Sequence, residues 1–83
     1  MSNTELDSFR LKTERGKTFF FDLMANSNGR FLKITESRPR EGGDNSFIRN
    51  FMTVPEEYLQ EFLSYLREAN SYFKNGDEIN AEQ

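Results

Sequence analysis

The residues able to do chemistry in this chain are few and of one kind. There is no histidine and no cysteine among its 83 residues, which removes the usual zinc ligands, thiol nucleophiles and disulfides together. Glu56, Glu57 and Glu61 open a helical pattern, where carboxylates complement the positive end of the helix dipole and face solvent. That role fits them better than an acid–base pair or a metal set. Gly42-Gly43 is followed by no Gly-Lys-Ser/Thr, so it does not read as a phosphate-binding loop. Without a nucleophile–base pair, the chain is expected not to be an enzyme and to need no cofactor or metal. What remains is a group of rings, cations and an amide: Phe20, Met24, Asn26, Phe31 and Lys33. Rings stack on unpaired bases for about 1–3 kcal/mol each, cations offset phosphate charge, and amides read base edges.

The elements that hold these residues are legible from the hydrophobic period. Lys17 to Asn26 alternates, with Phe19, Phe21, Leu23 and Ala25 on one face and Phe20, Asp22, Met24 and Asn26 on the other. Ser27-Asn28-Gly29 predicts a hairpin turn, because Asn and Gly tolerate positive φ. Arg30 to Ser37 alternates again, Leu32 and Ile34 inward, Phe31, Lys33 and Thr35 outward. Pro39 and Gly42-Gly43 mark a loop, where Arg38 and Arg40 fit a phosphate clamp or simply solvated charges. Ser46 to Val54 reads as a further strand, and Glu5 to Glu14 as a first one turning at Arg15-Gly16.

From Pro55 the period becomes helical. Tyr58, Leu59, Phe62, Leu63, Tyr65, Leu66, Ala69, Tyr72 and Phe73 fill an arc of about 180°, where an ordinary surface helix needs nearer 100°. The excess predicts a helix packed on two surfaces, its own sheet and a second chain. Tyr58, Phe62, Tyr65, Leu66, Ala69 and Phe73 are the expected dimer contacts. Residues 1–4 and 75–83 have little to bury and are expected as disordered tails, leaving 5–74 as the ordered domain. The expected class is α+β, four strands then a helix.

A sheet covered by one helix should be polar on its outer face, yet this one carries Phe20, Met24 and Phe31 there. Either single-stranded nucleic acid meets that face, or another polypeptide covers it, and the residues alone leave both readings open. Charge favours the first. Phe9 to Arg49 holds nine Lys/Arg against five Asp/Glu, and Asn50 to Gln83 two against seven, within a net charge of −3. The local field counts for more than the total.

Size points to a partner subunit, since one small core gives only a few kcal/mol and neither disulfide nor zinc is present to supplement it. No apolar run approaches the roughly 20 residues of a membrane span. Met1-Ser2-Asn3-Thr4-Glu5 lacks the basic and apolar regions of a signal peptide. A soluble, cytoplasmic protein is expected.

Lys17-Thr18-Phe19-Phe20-Phe21-Asp22-Leu23, then Asn26, then Gly29-Arg30-Phe31-Leu32-Lys33-Ile34-Thr35-Glu36 resembles the PUR repeat of the Pur-alpha family. The helix, with Glu57, Tyr58, Phe62, Tyr65 and Leu66, is similar to that repeat's closing helix. The resemblance implies a ββββα repeat, two of which intertwine into one Whirly-like PUR domain. With one repeat, like the single-repeat bacterial members, the chain should form it as a homodimer. It also implies binding of purine-rich single-stranded DNA or RNA, in a transcriptional or post-transcriptional regulator or a nucleoid-associated protein. By the same resemblance Phe31 stacks on bases, Lys33 is the binding cation two positions on, and Asn26 contacts bases; Lys17, Arg30 and Lys33 are expected to hold the backbone. Arg15, Gly16 and Lys17 match a polar-polar-lysine turn that also binds. Met24 stands in the site where the family has lysine, and Arg15-Gly16 where it often has Gln-Ser.

Overall fold

Period-two alternation becomes a sheet only when each strand finds a neighbour in register, and the turns set that register. The computed structural model describes residues 2–42 and 45–81, the last six through their backbone only. It contains β1 (Thr4–Lys12), β2 (Thr18–Asn26), β3 (Gly29–Pro39), β4 (Phe47–Pro55) and α1 (Glu56–Ala81). The strands form one antiparallel sheet in the order β1-β2-β3-β4, so the chain is an α+β protein of ββββα order.

Each hairpin is fixed by local chemistry. Between β2 and β3, Asn26 pairs with Gly29, and the Asn28 N–H donates to Asn26 Oδ1 at 2.9 Å. The positive φ demanded there falls on Gly29 alone, at +137°. Asn28 does not share it, because the Asn26 carboxamide closes the turn instead. Between β1 and β2 the Thr13 N–H and hydroxyl both donate to the Lys17 carbonyl, at 2.9 and 2.8 Å. Gly16 completes that turn at φ +90°. β1 carries a bulge between Glu5 and Asp7, a device that twists an edge strand away from unwanted pairing. The Arg40 guanidinium donates to Ser46 Oγ at 3.0 Å, tying the two ends of the β3–β4 loop.

The register sorts the side chains into two faces. One, the Phe31 face, takes Phe20, Asp22, Met24 and Asn26 from β2 with Phe31, Lys33 and Thr35 from β3. The other, the Phe21 face, takes Phe19, Phe21, Leu23, Leu32 and Ile34. Both assignments match the expected alternation.

The helix differs from expectation in where it goes. It begins at Glu56, directly after the last residue of β4, and packs only on β3 and β4. With no connecting loop to reverse the chain, it runs off the sheet instead of folding over it. The Phe21 face is therefore covered by its own helix only at one end, near Leu32 and Val54. Val54 is the single buried apolar residue among those described, and Ser37 the single buried polar one. The Cα radius of gyration is 16.6 Å, against about 12 Å for a compact chain of this length. The chain exposes 7243 Å², where a folded monomer of its mass exposes roughly 5,200 Å².

The element ends also extend beyond expectation. β1 includes Thr4 and α1 runs to Ala81, so parts of both expected tails lie within elements. A nucleated helix adds one hydrogen bond per residue fixed, and composition alone does not stop it. Among the described residues no helix is long and apolar enough to cross a membrane.

Candidate nucleic-acid interface

Strands β2 and β3 bring the central group together. Met24 stands opposite Phe31, Asp22 opposite Lys33, and Phe20 opposite Thr35. Asn26 lies at the hairpin end of the same face, where its Nδ2 donates to Asn3 Oδ1 at 3.1 Å. With its Oδ1 accepting from Asn28, the carboxamide is oriented, yet one N–H and one oxygen lone pair remain for a ligand. Asn26, Gly29, Phe31, Thr53, Pro55 and Glu57 line an open cleft of about 340 Å³ at this end of the sheet. Phe31 is half-buried there, an apolar wall beside free polar groups, as ligand clefts require.

The outer strands add residues that the alternation of β2 and β3 did not reveal. Register places Arg10 opposite Phe20 and Phe51 opposite Thr35. The Arg10 guanidinium sits 5.1 Å from the Phe20 ring centroid, and Lys33 Nζ sits 4.7 Å from that of Phe51. Both distances suit cation–π contact. Lys12, opposite Thr18, and Arg49, opposite Ser37, add two further cations to the same face. The signal for β4 was present as Phe47, Arg49, Phe51 and Thr53 at period two, but alternation does not say which face a strand presents. Asp22 is the carboxylate at the centre, and it accepts from Ser8 Oγ at 2.7 Å. Lys33 stands opposite it but leans to Phe51.

Of the residues expected at the site, Lys17 and Arg15 are not brought to this face, while Arg30 lines the cleft beside Phe31 but is held in an ion pair. Lys17 Nζ lies 3.0 Å from Glu36 Oε2 and 5.8 Å from the Phe19 ring, on the Phe21 side. Arg30 makes a two-pronged ion pair with Glu56, its Nε donating to Oε1 at 3.0 Å and its second nitrogen to Oε2. Arg15 is exposed in the β1–β2 turn, at the opposite end of β2 from Asn26. Alternation explains the placing of Lys17 and Arg30, since Lys17 is in phase with Phe19 and Arg30 with Leu32.

The ion pairs set the charge of each face. Hydrogen bonding from Lys17, with its charge, holds the Glu36 carboxyl below the usual range. Arg30 does the same to Glu56. On the Phe21 side, then, Lys17 and Arg30 meet carboxylates, and Arg38 alone of its strand cations there forms no salt bridge among the described residues. On the Phe31 face Arg10 and Lys33 meet rings, and their charge stays available.

Of the expected dimer contacts, Tyr58, Tyr65, Leu66, Ala69 and Phe73 are exposed and Phe62 is half-buried. No family model matches the chain, and no curated protein matches it.

Proposed function

We propose that the protein binds single-stranded, purine-rich DNA or RNA on the Phe31 face and works as a homodimer. Its role on this reading is that of a transcriptional or post-transcriptional regulator or a nucleoid-associated protein. The observation that carries the reading is the division of charge between the two faces. The Phe31 face interleaves rings with Arg10, Lys12, Lys33 and Arg49, against Glu5 and Asp22, and none of these cations forms a salt bridge among the described residues, while Lys17 and Arg30 on the other side are ion-paired. A strand of bases and phosphates fits the first arrangement. Phe31 stacks on a base over the cleft, Asn26 offers its free donor and acceptor to a base edge, and Lys33 meets a phosphate. Arg30 and Lys17 reach a backbone only by leaving Glu56 and Glu36, so their part in binding is secondary.

The second copy is argued from surface. About 2,000 Å² more is exposed than a folded monomer of this mass carries, and most of an apolar sheet face and of a broad apolar helix arc lies uncovered. An obligate dimer hides 2,000–5,000 Å² or more in total. Phe9, Leu23 and Met52 of the Phe21 face and Leu63, Leu66 and Phe73 of the helix are the surfaces a partner covers.

The test is fluorescence anisotropy with labelled purine-rich, pyrimidine-rich and duplex oligonucleotides. Wild type should favour the purine-rich single strand, with affinity falling as salt rises. Replacing Phe31 and Lys33 together by alanine should weaken binding at least fivefold, the lower end of one lost stack. Absence of binding by wild type at low salt sinks the reading.

A further inference from the structure

We propose that β4 provides a second stacking station for the same strand, with Phe51 as its platform and Arg49 as its phosphate contact. The proposal rests on the nucleic-acid reading above and extends the site beyond the residues at the β2–β3 hairpin. Phe51 is 66% exposed, on an edge strand of the sheet, so most of its ring is open to a ligand, with the Lys33 ammonium over part of it. Along β4, Phe47, Arg49, Phe51 and Thr53 fall on the Phe31 face, alternating ring and polar group in the manner of a single-strand platform. Lys33 Nζ over the Phe51 ring joins this station to the strand that bears Phe31. Neither Lys33 nor Arg49 has a carboxylate partner among the described residues. This charge, spaced by rings, suits a phosphate backbone better than a second polypeptide.

Spacing sets how the two stations divide the ligand. Phe31 pairs with Pro55, and Phe51 lies four residues back along β4. At about 3.4 Å per residue and 4.8 Å between strands, their Cα atoms are roughly 14 Å apart. Neighbouring stacked bases are only about 3.4 Å apart. Phe31 and Phe51 therefore take bases that are not adjacent, and the linking phosphates pass Lys33.

The experiment is anisotropy with a labelled purine-rich oligonucleotide of about 12 nucleotides, long enough for one single-strand platform. Circular dichroism and sedimentation check every variant for fold and assembly. Phe51→Ala and Phe51→Leu should both weaken binding roughly five- to hundredfold, with an unchanged salt dependence, and Phe51→Trp should restore it. Arg49→Ala should reduce the slope of log affinity against log salt by about 0.7. If Phe31→Ala weakens binding while Phe51→Ala matches wild type, the second station is wrong and the primary reading stands. If wild type fails to bind, both fall together. A Phe51 variant that changes the sedimentation coefficient instead of affinity assigns β4 to a contact between copies and overturns the proposal.

Discussion

Replacing Leu66 by alanine separates a chain that folds alone from one that folds as a pair. Leu66 is 54% exposed in the single chain, and a substitution at such a site changes stability by no more than about 0.5 kcal/mol. Covered by a second copy, the same truncation leaves a cavity and costs about 2–5 kcal/mol. A two-fold interface contains the site twice, so the pair loses about 4–10 kcal/mol. The two outcomes differ by an order of magnitude. Urea unfolding followed by circular dichroism at about 1 and about 100 µM reads both the stability and its concentration dependence. A hundredfold rise in concentration stabilises a dimer by about 2.7 kcal/mol. With a denaturant slope of ~1–3 kcal/mol per molar, the wild-type midpoint then rises by roughly 1–3 M. Leu66→Ala should unfold far earlier, and most severely when dilute. Superimposable wild-type curves at both concentrations, together with a Leu66→Ala midpoint like wild type, would refute the dimer.

Other expectations follow from single contacts. Lys33→Ala should lower the salt slope of oligonucleotide binding by about 0.7, whereas Lys17→Ala, held by Glu36 on the other side of the sheet, should leave it unchanged. Titration of stability should show an acid dependence from Glu36 and Glu56. Both carboxyls are depressed below 4.5 in the folded chain, so their contribution is present above that pH and is lost as pH falls through the depressed values. Glu36→Gln with Glu56→Gln should flatten this limb, and since both pairs are exposed, added salt should shrink it. Gly29→Ala should destabilise by about 1–2 kcal/mol through backbone strain alone, because an added Cβ meets nothing within 4 Å. Gly16→Ala should cost more, since its Cβ would lie 3.1 Å from Pro39 Cγ as well; chemical denaturation of the two variants side by side decides the order.

The sequence by itself determined the elements and the phase of the central strands. Phe19, Phe21 and Leu23 alternate with Phe20, Asp22 and Met24, and a period of two allows only one division between faces. Gly29 and Gly16 mark turns because the backbone there takes positive φ, a local demand that a local residue satisfies. The group Asn26, Phe31 and Lys33 was legible for the same reason, being set by one hairpin and its phase. Tertiary structure decided what lay between strands distant in sequence. Arg10 over Phe20 and Lys33 over Phe51 depend on the register of β1 and β4, which no single strand encodes. Structure also paired Lys17 with Glu36 and Arg30 with Glu56, partners that their own strands do not announce. The course of the helix was the least legible. An apolar arc says that a helix must be covered but not by what, and only the loopless junction at Pro55 and Glu56 decided that the chain's own sheet leaves most of it bare.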